Sequence, residues 1–122
     1  MLTAKVMKTG MLGSRQRYII LVVTPSNVPA GYPTNGDTLD LSAVTNPNGL
    51  IGAYVTTPPA VQDVNFMDSL AGADLEWVPG TTIKNALVKV WSSAGNEHAN
   101  GNYTAAELAD TFQMMIIIDK AH

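Results

Sequence analysis

His98 and His122 are the only histidines of this sequence and cysteine is absent, so its means of attacking an electrophile or ligating a soft metal are few. A histidine-based triad or a multi-histidine metal site would have to draw on one residue in a polar loop and one at the terminus, and both are expected to be solvated. Asp74 and Glu76 sit at strand spacing on one side, and Asp63 has Asp68 nearby. Paired carboxylates serve glycoside hydrolysis or calcium only when a cleft holds them at a defined separation, and surface carboxylates are the expected reading. No phosphate-binding loop, dinucleotide fingerprint, nucleophile elbow or zinc spacing occurs. The sequence is therefore read as a non-enzyme with no catalytic residue, no cofactor and no metal. Trp77, Trp91, Tyr32, Tyr54 and Tyr103 could stack on sugars, but aromatic side chains in a β-rich chain more often anchor a core or an interface.

Residues of these types act only where a scaffold holds them, and 122 residues suffice for one core. Charged residues make up 14% of the chain against about 25% in an average domain. Such a surface suits burial by partners, because interface cores are depleted in Lys, Glu and Asp. The formal net charge of -3, with seven scattered basic residues, argues against a nucleic-acid partner, which calls for clustered Lys and Arg. The longest apolar runs fall far short of the roughly 20 residues that span a bilayer, and Lys8, Arg15 and Arg17 interrupt what would be the apolar part of a leader. No membrane association and no export are expected. Without cysteine, stability must come from packing.

Strand signals dominate the chain. Arg15–Thr24 is rich in β-branched residues, apolar on both faces and closed by Pro25, which predicts a central or covered strand. From Pro25 to Gly49 the density of proline and glycine predicts a long, mostly irregular connection. Within it, Asn35-Gly36 signals a tight turn and Thr38–Ser42 a short strand. Further strands are predicted at Gly49–Thr57, Val61–Met67 and Asp74–Val78. The last of these runs through a Pro79-Gly80 turn into a hairpin partner at Ile83–Ser92, whose Ala86, Val88 and Val90 face the core. In Tyr103–Asp110, Thr104 and Glu107 fit a capping box that would start one or two helical turns, with extended structure as the competing reading. Phe112–Lys120 predicts a final strand, again apolar on both faces. Two such strands exceed what one thin sandwich buries, so part of them is expected to face another subunit. The fold class is all-β, an antiparallel β-sandwich or jelly-roll-like barrel with at most one short helix. Residues 1–14 form an N-terminal arm or first strand, and 15–122 a single domain with the long loop at 25–49.

The order of these segments resembles a known family. A strand of the Arg17–Thr24 kind leads into Tyr32-Pro33-Thr34-Asn35-Gly36-Asp37-Thr38-Leu39-Asp40-Leu41. A Gly72–Trp77 element, a strand at Ala86–Trp91 and a Gly95–Asp110 segment carrying Glu97 and Ala99 precede a last strand. The chain is similar in this, over most of Arg15–Lys120, to the capsid decoration (cement) proteins of tailed bacteriophages. Asn35 stands where that family has the first glycine of a pair, a change the turn accepts because Asn tolerates positive φ. The resemblance implies a sandwich-like module, commonly a homotrimer, made in the host bacterial cytoplasm. It would bind the major capsid protein on the outside of the virion and stabilise contacts between capsid subunits. It also implies extended arms, here Met1–Ser14 and Pro25–Gly49. The side chains expected at protein contacts are Arg15, Arg17, Tyr32, Pro33, Asn35, Leu39, Leu41, Trp77, Met114 and Ile116. The rival readings are a carbohydrate-binding or host-attachment module displaying Trp77 and Trp91, a tail or neck subunit of the same virion and, more distantly, a small hydrolase using Asp74 or Glu76.

Overall fold

A computed structural model describes residues 1–13, 16–41, 61–81 and 84–119. Among these, seven strands form two antiparallel sheets. β1 (Leu2–Leu12), β2 (Gln16–Pro25), β7 (Phe112–Asp119) and β4 (Val61–Phe66) make a four-stranded sheet in the order β1-β2-β7-β4. β3 (Asp37–Leu39), β6 (Ala86–Trp91) and β5 (Asp74–Val78) make a three-stranded sheet in the order β3-β6-β5. One short helix, α1 (Ala105–Leu108), precedes β7. The chain is all-β, as its patterning predicts.

Alternation along the strands decides which residues meet between the sheets. On β2, Ile19, Leu21 and Val23 are fully buried, and on β7 so are Phe112, Met114 and Ile116. These pack with Leu39, Val88 and Val90 of the other sheet into one cluster. Each fully buried side chain of this size contributes about 1.5–3 kcal/mol through removal of apolar surface from water. Ala86, Val88 and Val90 do face inward, while Leu87, Lys89 and Trp91 of the same strand are half-buried on the other side.

The two doubly apolar strands are neighbours, and this accounts for part of their composition. β2 and β7 pair directly, Tyr18 with Ile117 and Ile20 with Met115. The half-buried Tyr18, Ile20, Val22, Met115 and Ile117 therefore share the outer face of the four-stranded sheet. Beyond them the rows continue to the sheet edges. Lys8, Ile20, Met115 and Asn65 form one row, and Gly10, Tyr18, Ile117 and Asp63 the next. The far end of the Tyr18 ring lies directly over Gly10, where an added Cβ would meet it.

Several boundaries and placements differ from those expected. Of the two readings of residues 1–14, the first strand is the one present: Leu2–Leu12 is paired along its length with β2. The described part of the Pro/Gly-rich loop is no arm either. Tyr32, Leu39 and Leu41 are buried within the chain's own core, and the tight turn before β3 holds Asn35 at φ 75° and Gly36 at φ 121°. The short strand there is Asp37–Leu39 and lies against β6. The capping box resolves the competition at Tyr103–Asp110 in favour of helix. The Thr104 hydroxyl accepts from the Glu107 N–H, and the Glu107 carboxylate accepts from the Thr104 N–H. The strand predicted at Gly49–Thr57, with Tyr54, lies outside the described residues.

Candidate functional site

The densest concentration of titratable side chains lies where the loop after β2 meets the loop after β6. Two backbone hydrogen bonds join these loops: the Tyr32 N–H donates to Gly101 O at 2.6 Å, and the Gly101 N–H to Tyr32 O at 2.9 Å. The approach is close enough that any side chain at Gly31 would strike the Gly101–Asn102 backbone. Asn27 adds a second clasp, its amide donating to Tyr103 O and its carbonyl accepting from the Tyr103 N–H.

These contacts stack three rings. The centroids of Tyr32 and His98 are 4.7 Å apart, those of His98 and Tyr103 5.5 Å, and Tyr32 meets Tyr103 edge-on at 5.9 Å. Carboxylates close the cluster. The Tyr32 hydroxyl donates to Glu97 at 2.6 Å while accepting from the Val90 N–H. The Tyr103 hydroxyl donates to the buried Asp37 at 2.6 Å. Asp37 lies 2.8 Å from the Met1 amino group, which also donates to Ser26 O and Ala30 O. His98 Nε2 lies 2.9 Å from Glu107 Oε1, and its Nδ1 2.7 Å from Ala99 O. Both ring nitrogens thus lie against oxygen atoms of the chain.

Electrostatics follow from burial and partners. Burial, then the hydrogen bond to Glu97, raises the Tyr32 phenol far above its usual range. Burial and the bond to Asp37 do the same to Tyr103. Both hydroxyls are therefore held neutral, as donors. For Glu107, burial pushes upward, but the Thr104 N–H and His98 outweigh it and hold the carboxyl below its ordinary value. Each acid in the cluster is spent on a neighbour, so the arrangement fastens two loops and a helix together. Beside it lies a cavity of about 350 Å³, lined in part by Gly31, Tyr32, Asp37, Thr38 and Asn102. Among the described residues, no group of three or more His, Asp or Glu is placed to hold a metal ion, and no helix is long and apolar enough to cross a membrane.

The residues expected at protein contacts fall into three groups. Tyr32, Leu39, Leu41, Met114 and Ile116 are at most 1% exposed, so they belong to the chain's own interior. Alternation identified them as burial-prone but not what would bury them. Pro33 and Asn35 are exposed, and Arg17 and Trp77 half-buried. Arg17 reaches Met11 Sδ at 3.3 Å, while Trp77 packs against the core. Arg15 lies outside the described residues. The solvated reading of His98 is corrected, since its side chain is 13% exposed and its Nε2 lies 2.9 Å from the Glu107 carboxylate. Asp74 and Glu76 are exposed, as expected of surface carboxylates, although Glu76 accepts from the indole N–H of Trp91 at 3.0 Å. The cluster escaped sequence reasoning because its members are far apart in the chain. The one local signal was the Thr104/Glu107 capping box.

A second opening lies between the edge strands β4 and β5. It measures about 520 Å³ and is lined by Val64, Phe66, Leu75 and Trp77 together with the exposed Asp63 and Glu76. No protein-family model matches the sequence, no curated protein matches it, and no solved structure matches the fold.

Proposed function

We propose that this chain is a structural protein that binds other protein chains, and specifically a capsid decoration protein on the outside of a tailed-phage head. The observation that carries the reading is the outer face of the four-stranded sheet. There Tyr18, Ile20, Val22, Met115 and Ile117 make one contiguous, half-buried apolar surface on two paired strands. Apolar area gathered on a sheet face and rimmed by polar residues is the usual form of a protein-binding patch. The locked Tyr32–His98–Tyr103 cluster fits the same role, since a shell protein needs loops that keep their shape. In this reading the partner is the major capsid protein, and many equivalent weak contacts add up over the shell.

Glycan binding through Trp91 is the poorer fit. Its indole N–H is engaged by Glu76, and the Lys89 ammonium lies 5.9 Å from the ring centroid. The test is co-sedimentation with assembled capsids and, separately, with free major capsid subunits. Binding to capsids that is lost in folded Ile20→Glu and Met115→Lys variants is the expected result. A folded chain that binds no capsid refutes the proposal.

A further inference from the structure

Asparagine followed by glycine is the pair at which a chain most readily modifies itself. The glycine nitrogen, with no Cβ beside it to hinder the approach, adds to the asparagine Cγ, the Cγ–Nδ2 bond breaks and ammonia leaves. Water then opens the resulting succinimide at one carbonyl to give aspartate, or at the other to give isoaspartate, in which the main chain runs through the β-carbon. One water is consumed for each ammonia released, and no oxidant or cofactor enters. The sequence contains Asn35-Gly36, Asn48-Gly49 and Asn100-Gly101. The second pair lies outside the described residues, and the other two sit in surroundings that differ.

The difference is in what holds the attacking nitrogen. After Asn100, the Gly101 N–H donates to Tyr32 O at 2.9 Å while Gly101 O accepts from the Tyr32 N–H at 2.6 Å. Adding that nitrogen to the Asn100 Cγ means breaking the clasp between the two loops. After Asn35, the Gly36 N–H donates to Pro33 O at 3.3 Å, beyond the roughly 2.7–3.2 Å of a well-formed bond. Asn35 is exposed at φ 75°, with Gly36 following at φ 121°. Gly36 is buried, but its nitrogen attacks from within the chain, and water is needed only for ring opening at the exposed Asn35.

We propose that Asn35 is a self-modification site, converting to aspartate and isoaspartate in the folded chain while Asn100 is protected, and that the conversion loosens the Tyr32–His98–Tyr103 cluster. The link is Asp37, two residues on, whose buried carboxylate holds the Tyr103 hydroxyl. Isoaspartate lengthens the main chain by one carbon at the entry to β3. That strains the register that seats Asp37 opposite Val88 and Leu39 opposite Ala86. Aspartate instead adds a negative charge close to the Asp37 carboxylate. The proposal concerns the isolated chain, so its outcome is independent of capsid binding.

The experiment ages the purified chain at mildly alkaline pH and physiological temperature, with a parallel sample in concentrated urea. Peptide mass spectrometry locates the mass gain at each Asn-Gly pair, and enzymatic methylation counts isoaspartate. In urea neither nitrogen is held, and Asn35 and Asn100 are expected to convert at similar rates. In the folded chain Asn100 is expected to lag behind Asn35 on the order of tenfold or more, because its nitrogen reacts only when the clasp opens. The urea midpoint of the folded sample is expected to fall as isoaspartate accumulates. Asn35→Gly keeps a residue that accepts positive φ and removes the amide, so its midpoint is expected to hold steady with age. A folded chain in which Asn35 converts no faster than Asn100 would overturn the proposal. So would a midpoint that stays level while residue 35 converts, or an Asn35→Gly chain that weakens with age as wild type does.

Discussion

Replacing Leu39 by alanine separates the two accounts of the Pro/Gly-rich loop. If the loop were an arm reserved for partners, an isolated chain would barely register the change, since surface substitutions usually stay within about 0.5 kcal/mol. In the structure Leu39 has no exposed surface and sits on a three-residue strand, paired with Ala86 and packed into the central cluster. The three carbons removed carry roughly 2–2.5 kcal/mol of transfer free energy. The space they vacate adds to this, for a total of about 2–5 kcal/mol, a large share of the roughly 5–15 kcal/mol that holds a typical domain together. Urea titration followed by tryptophan fluorescence measures it. With a slope of about 2 kcal/mol per molar, the middle of the range for a small protein, the midpoint falls by roughly 1–2.5 M. Thr38→Ala, exposed on the same strand, serves as control and is expected to shift it little. A Leu39→Ala midpoint indistinguishable from wild type, in a chain with an unchanged spectrum, would refute the assignment of this loop to the core.

Tyr103→Phe leaves the ring stack in place and removes the hydroxyl bound to Asp37, which is expected to cost about 1.5–3 kcal/mol in the same titration because the acceptor is a charged, buried group. At high pH, the unfolded chain ionises its tyrosines from about 10 while Tyr32 and Tyr103 resist in the folded state. The stability they confer is therefore complete below pH 10 and lost as the pH rises beyond it. The phenolate absorbance missing from Tyr32→Phe and Tyr103→Phe should rise together with unfolding. Glu107 has the opposite sign. Its lowered carboxyl contributes in full above about pH 4.3, and that contribution disappears as the pH falls through the folded value, so Glu107→Gln flattens the acid limb of a stability profile. Thr104→Ala removes the cap of α1 and is expected to lower thermal stability by about 0.5–2 kcal/mol.

The strands were legible wherever the pattern carried its own boundary. Gln16–Pro25 and Phe112–Asp119 are runs of β-branched and apolar residues too short for a helix, and Pro79-Gly80 marks the end of β5 before its antiparallel partner β6. The helix was legible through Thr104 and Glu107 for a similar reason, since a capping box is made of residues three apart. Alternation reports which residues share a face and is silent on what covers it. For that reason it points Leu39, Leu41, Met114 and Ile116 toward a partner, when all four are buried in the chain's own core cluster. The site was harder to see. His98 and Glu97 stand among Asn, Gly and Ala in what reads as a solvated turn, and their burial depends on Tyr32, which arrives from the other side of the molecule through its pairing with Gly101.

The position of β7 also bears on the order in which the sheet can form. β1 and β2 are joined by a short connection, and their pairing is local. β2 meets its other neighbour only when Gln16 finds Asp119 across nearly the whole chain, and among the described residues β4 is attached to the sheet through β7. The keystone strand is therefore the last of the seven to leave a ribosome. Until it emerges, the Ile19–Val23 edge of the first hairpin has no partner to cover it. Pairings of such long range are slow because the loop must close before the contacts reward it, and an uncovered apolar edge in the interval invites aggregation.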